Sequence, residues 1–154
     1  MTPAVDAVRR ANVEHRLIEY DSDVEHGYGE EAATALGVAP DLVFKTLVAK
    51  LDGKRLAIAL VPVKSMLNLK ALAALSEAKH AEMATPREAE RTTGYRVGGI
   101  SPLGQRRRLP AFADASIEAH ARVYVSAGRR GLELELSPRD LVALTGARLG
   151  PIAS

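Results

Sequence analysis

Two pairs of short apolar runs, each pair closed by a turn, restrict this chain more than anything else in it. Phe44-Lys45-Thr46-Leu47-Val48-Ala49-Lys50 and Arg55-Leu56-Ala57-Ile58-Ala59-Leu60-Val61-Pro62 flank Asp52-Gly53, and Asp-Gly between apolar runs is a strong hairpin signal. Residues 122–126 and 132–136 alternate apolar and polar around Ala127-Gly128-Arg129-Arg130-Gly131, which reads as a second hairpin with a basic tip. Turns this short join antiparallel strands, because a parallel pair needs a long crossover. Helical patterns fall between the strands, so the expected class is α+β, with a mixed, largely antiparallel sheet. A chain of 154 residues is expected to form one domain, 1–154.

The remaining elements follow from caps and periodicity. Thr2 and Pro3 suit an N-cap and first helical residue, and Val5, Val8 and Val13 keep helical spacing to about Asn12. Residues 15–21 read as a strand ending near Tyr20. A polar loop over 22–29 leads to a helix over 30–36 that Gly37 caps. Residues 39–43 form a short helical turn. Residues 63–75 turn helical, with Leu67, Leu69, Leu72 and Leu75 on one apolar face, and 78–84 form a short strand. Thr85-Pro86-Arg87-Glu88 is a capping box that starts another helix. A brief strand over 111–113 and a turn or short helix over 114–120 precede the second hairpin. Ser137-Pro138 opens the last helix and Gly146 closes it.

Composition excludes more than it selects. Cysteine is absent, which removes disulfides, thiolate metal sites and a cysteine nucleophile together. No basic segment followed by an apolar run opens the chain, so a signal peptide is not expected, nor is a membrane partner. A net charge of +2 is too small to point to nucleic acid by its sum. His15, His26, His80 and His120 are scattered without ligand spacing, so no metal is expected and His26 reads as a solvated loop residue. GxSxG, HExxH and P-loop patterns are absent. Ser126 could enter a triad only through geometry that sequence does not display.

One stretch concentrates unusual backbone. Gly94-Tyr95-Arg96-Val97-Gly98-Gly99-Ile100-Ser101-Pro102-Leu103-Gly104-Gln105 holds four of the twelve glycines and one proline, and Arg106, Arg107 and Arg108 follow at once. Glycine lets a ligand or another backbone approach closely, and proline fixes the exit direction. Read plainly, this is a tight connection ending in a solvated basic run. Bare amides beside positive charge also suit a ligand carrying phosphate or sugar.

That loop closely resembles the signature loop of the YbaK family of aminoacyl-tRNA deacylases, which are related to the editing domain inserted in bacterial prolyl-tRNA synthetases. The resemblance runs in order from Thr2-Pro3-Ala4-Val5 through Phe44-Lys45-Thr46-Leu47 and Tyr124-Val125-Ser126-Ala127-Gly128 to Gly131-Leu132-Glu133-Leu134-Glu135-Leu136, nearly the whole chain. It is strongest with the free-standing bacterial enzymes that remove cysteine from tRNA(Pro). The resemblance implies a curved mixed sheet surrounded by short helices and a cytoplasmic enzyme that needs no cofactor.

It also implies a site. From spacing alone Lys45 reads as a snorkelling lysine with a buried stem; the resemblance makes it the residue that holds the terminal phosphate or ribose of the acceptor end. Gly99 would offer its backbone to the aminoacyl-adenosine, beside Gly98, Ile100, Ser101 and Pro102. Tyr20 and Ser126 would shape a small amino-acid pocket, with Thr46 as a neighbour and Tyr28 at the mouth, where one aromatic ring can stack on a base. Glu133 stands where the family often has aspartate, so its carboxylate is displaced by one methylene. Arg106, Arg107, Arg129 and Arg130 would touch tRNA backbone, contacts that position without reading sequence.

The implied reaction is hydrolysis of the aminoacyl ester of Cys-tRNA(Pro), or of Cys-tRNA(Cys), with water or the substrate's own thiol attacking. The latter is a lyase-like release. Positioning and backbone dipoles can supply much of the acceleration for such a labile ester. Two other readings stand beside it: a deacylase for another small amino acid such as alanine on tRNA(Pro), and a non-catalytic module that binds tRNA or a synthetase. The implied partners are the acceptor end of an aminoacyl-tRNA and a prolyl-tRNA synthetase in a transient complex.

Overall fold

A computed structural model of the chain describes residues 1–21 and 28–154, with only the backbone of residues 28 and 29. The expected polar loop, His26 within it and the Tyr28 ring therefore lie outside the described residues. The first hairpin forms as its sequence demands. β2 (Phe44–Leu51) and β3 (Arg55–Pro62) pair antiparallel from Phe44↔Pro62 to Leu51↔Arg55, and Asp52 and Gly53 both take positive φ at the turn. Asp52 also reaches sideways. Its Oδ1 accepts from the Lys79 and His80 amides at 3.0 Å each, which brings β4 (Ala81–Met83) alongside β2.

Two parallel strands extend this sheet on its other side: β5 (Ala111–Asp114) beside β3, then β8 (Arg148–Gly150) beside β5. The sequence reading did not contain β8. It is held by Asp114, whose Oδ1 accepts from the amides of Ile152 and Ala153 at 3.0 and 2.9 Å. The other strands form a separate antiparallel sheet in the order β1 (His15–Glu19), β7 (Leu132–Leu136), β6 (Val123–Arg129). A parallel bridge between Val43 and Tyr124 links the two sheets. The mixed, largely antiparallel α+β class thus stands, with its strands divided between two sheets rather than laid in one.

Caps place the helices where their residues allow. α1 (Pro3–Ala11), α4 (Pro86–Thr93) and α5 (Pro138–Thr145) start at Thr2, Thr85 and Ser137, each accepting a backbone N–H, and Thr85 with Glu88 completes the expected capping box. α3 spans Leu69–Ser76 rather than 63–75, because Asn68 caps its start and residues 67–68 instead bond residues 152 and 153. α2 spans Tyr28–Leu36, starting two residues earlier than expected.

Aliphatic side chains from β2, β3 and β7 meet those of α1, α5 and the glycine-rich loop in the main core, while α3 covers the opposite face of the larger sheet. A third cluster joins Ala32 and Ala33 of α2 to Val43, Val63 and Tyr124. This last layer buries β7 on both faces, so all five of its residues are inaccessible. No helix among the described residues is long and apolar enough to cross a membrane.

Candidate active site

The division into two sheets leaves a cavity of about 610 Å³ where the start of β2 meets β6 and β7. Strand pairing determines which side chains line it. Ser126 on β6 stands opposite Glu133 on β7, and Glu133 stands opposite Ile18 on β1. Lys45 and Thr46 enter from β2, Gly98 and Ile100 from the loop, and Pro86 and Ala89 from α4. Met83 and Val97, 46% and 44% exposed, bring apolar surface to the cavity lining.

Glu133 differs sharply from its neighbour two positions on. Both are buried. Glu135 accepts a hydrogen bond from the Tyr124 hydroxyl and faces Arg16 and Arg122 at 3.5 and 3.6 Å. Glu133 Oε2 has no hydrogen-bond partner among the described residues, and burial pushes its carboxyl up to about 8. At neutral pH it is therefore mainly the uncharged acid, a donor as well as an acceptor. Thr46 Oγ1 is likewise buried without a partner. Buried polar atoms are nearly always paired, so two that are unpaired among the described residues leave hydrogen-bonding capacity in the wall of one cavity.

Lys45 is half-buried at the start of β2. Its Nζ donates to the Val63 carbonyl at 3.4 Å. Desolvation lowers its ammonium from the ordinary value, and Glu30 across the cavity acts against that shift. Glu30 went unnoticed in the sequence, where it reads only as an acid in the first turn of a helix. Ser126 Oγ accepts from the Gly128 amide at 3.2 Å. No histidine lines the cavity among the described residues, and the ionisable group nearest Ser126 along the strands is Glu133, its cross-strand partner. Tyr20 lies just outside the described lining, with its amide donating to the Gly131 carbonyl at 2.9 Å. Burial first, and the Glu133 carboxylate second, raise its hydroxyl above the ordinary value. Three or more potential metal-ligating side chains do not cluster anywhere among the described residues.

The loop divides its labour in a way the sequence concealed. Gly98 faces the cavity with φ of 96°. Gly99 faces the other way: a Cβ there would lie 2.8 Å from Arg129 Cα and from the Arg130 amide nitrogen. Its bareness admits the backbone of the β6–β7 hairpin, and Gly99 itself is not among the residues that line the cavity. Gly99→Ala should accordingly lower stability by about 1–3 kcal/mol through overpacking, and comparative thermal melts will read it. Wild-type melting with lost turnover would instead give Gly99 a substrate-facing role. Ser101 and Pro102 also leave the cavity. Ser101 is fully buried with Oγ accepting from the Leu103 amide at 3.2 Å, and Pro102 lies in a separate crevice beside Ala7 and Leu144. Tyr95 locks this part of the loop by donating from its hydroxyl to the Leu103 carbonyl at 2.6 Å.

The arginines divide as well. Arg130 meets the buried Glu31 at 2.6 Å and Arg129 meets Glu19 at 3.3 Å. The hairpin tip thus uses its charges to tie β6–β7 to α2 and β1. Arg106 and Arg107 are exposed, and their amides donate to the Thr93 and Thr92 carbonyls at the end of α4.

Residues 26–144 match the family described as the aminoacyl-tRNA editing domain. A protein of Enterococcus faecalis with the provisional name Cys-tRNA(Pro)/Cys-tRNA(Cys) deacylase EbsC is 32% identical over 99% of this chain and 93% of its own length. A proline–tRNA ligase of Nitratidesulfovibrio vulgaris is 37% identical over 68% of this chain, which corresponds to 18% of the ligase. A solved structure described as a trans-editing enzyme candidate for prolyl tRNA synthetase superposes with a TM-score of 0.87 at 26% identity, covering 100% of this chain and 99% of the other. The chain belongs to the aminoacyl-tRNA editing domain family.

Proposed function

We propose that this chain is a trans-acting deacylase that releases cysteine from mischarged Cys-tRNA(Pro). The observation that carries the reading is the cavity itself: two buried polar atoms, on Thr46 and Glu133, are unpaired among the described residues and lie in a small space with a lysine at its entrance and no histidine or cysteine in its described lining. Such a site binds and orients, and leaves the attacking group to water or to the substrate. The Lys45 ammonium holds the terminal phosphate or ribose. The apolar rim at Met83 and Val97 receives the adenine face. Gly98 and Ile100 border the ester, while Ser126, Thr46 and neutral Glu133 surround the amino-acid side chain. Tyr20, at the end of β1 beside Glu133, adds a hydroxyl next to the pocket. In hydrolysis the water oxygen bonds to the carbonyl carbon, the ester C–O bond breaks, and the ribose oxygen leaves with a proton. With thiol attack the sulfur takes the place of water.

The near-complete coverage of the Enterococcus protein and of the solved trans-editing chain supports action as a separate polypeptide, in transient complex with prolyl-tRNA synthetase. Purified aminoacyl-tRNAs test the reading directly. Cys-tRNA(Pro) should be deacylated faster than Ala- and Ser-tRNA(Pro), by a factor on the order of 10–200, the range that one small group in a pocket provides. Fastest release of alanine would replace the substrate, and no release from any charged tRNA would remove the enzyme reading.

A further inference from the structure

α4 has two working faces. Pro86 and Ala89 line the cavity, whereas Arg87, Glu90 and Arg91 line a second, open groove of about 370 Å³ on the outer side, with Gly94, Arg96 and Arg106. Positions 87, 90, 91 and 94 follow the spacing of one helix face. Arg106 joins them because its amide donates to the Thr93 carbonyl at 2.9 Å, which brings the chain beside Gly94. All four arginines are exposed, and none has a carboxylate partner among the described ion pairs. The single acid of the groove, Glu90, accepts from the Val97 amide at 2.9 Å and so holds the loop. In a chain with a net charge of only +2, four guanidinium groups against one carboxylate is a marked local excess.

We propose that this outer face of α4 is a docking surface for the phosphate backbone of an RNA duplex, the acceptor stem whose 3′ end enters the cavity. The proposal rests on the deacylase reading above and extends it from the terminal nucleotide to the stem. Guanidinium forks match phosphate oxygens in pairs, and contacts of this kind position an RNA without reading its sequence. A helix whose inner face walls the cavity is well placed to set the angle at which the strand arrives. The hairpin tip is not equivalent, since Arg129 and Arg130 face Glu19 and Glu31.

The test uses an uncharged RNA hairpin ending in single-stranded CCA, with binding followed by fluorescence anisotropy across a series of KCl concentrations. A triple Arg87→Ala, Arg91→Ala, Arg96→Ala variant should bind at least about tenfold more weakly at low salt. Its log–log salt slope should fall by about 3, since each duplex phosphate contact releases about 0.9 counterion. An Arg9→Ala, Arg10→Ala control on the exposed end of α1 should change neither quantity. On Cys-tRNA(Pro), KM should rise in the triple variant while kcat stays near wild type. An unchanged slope in the triple variant, an equal loss in the control, or equal weakening of poly-L-glutamate binding would overturn the proposal. Absence of hydrolysis by wild type, with the slope change intact, would overturn the deacylase reading and leave the RNA surface standing.

Discussion

Lys45→Ala lowers the rate of Cys-tRNA(Pro) hydrolysis by about 100-fold or more, the scale of loss that follows from misplacing a substrate, in a protein that melts close to wild type. The second half of that expectation is the diagnostic one. The Lys45 ammonium is partly desolvated, and its one described hydrogen bond is long, 3.4 Å to the Val63 carbonyl. Little native stabilisation is therefore lost with it, and burial of its charge is a cost that the mutation removes. Lys45→Arg should recover only part of the rate, because a planar fork does not reproduce a compact ammonium. Single-turnover kinetics beside thermal melting will read both variants. Near-normal hydrolysis by folded Lys45→Ala would return Lys45 to a snorkelling residue and remove it from the site.

Glu133→Gln should abolish a large pH dependence of stability. The folded carboxyl titrates at about 8 because it is buried, against 4.5 ordinarily. A raised value means that the folded state holds its proton longer than the unfolded chain. The stabilisation is thus complete below about pH 4.5 and is lost as pH climbs through 8. In that window the wild type should lose up to roughly 1.4 kcal/mol per pH unit, whereas the isosteric amide loses none of this contribution. Denaturant melts at pH 5, 7 and 9 measure the difference. If the neutral acid is the working form, Glu133→Gln also keeps activity within a few-fold at pH 7 and extends it above pH 8. Loss of activity at pH 7 in a stable Gln variant would show instead that the carboxylate works.

How much of this was legible in the sequence depended on distance along the chain. The Asp52-Gly53 hairpin and the caps at Thr2, Thr85 and Ser137 are set by neighbours within a few residues, and they stand where the sequence put them. β8 has three residues and no alternation, and it is held by distant residues, the β5 ladder and the Asp114 carboxylate just beyond its end. Leu-Glu-Leu-Glu-Leu reads as a strand with one wet face, yet both glutamates are buried, because the α2 layer and the Tyr124 side chain cover that face. Glu133 could be noticed by resemblance, but its missing partner could not. Gly99 was noticed for its bareness, and what filled the space was another part of the same chain. Arg129 and Arg130 looked available because Glu19 and Glu31 are about a hundred residues away in sequence.

The pairing of β1 with β7 has a consequence for the order of events during synthesis. His15–Glu19 leaves the ribosome early, but its partner strand is made more than a hundred residues later. At roughly 5–20 residues per second, β1 waits several seconds or longer with its edges unpaired. Ser126 and Glu133 belong to that late segment, so no chain that ends before β7 contains the whole cavity lining. A ribosome that stalls before residue 132 releases a fragment with a complete first hairpin and no site, and the unpaired early strand makes that fragment a candidate for aggregation rather than for weak activity.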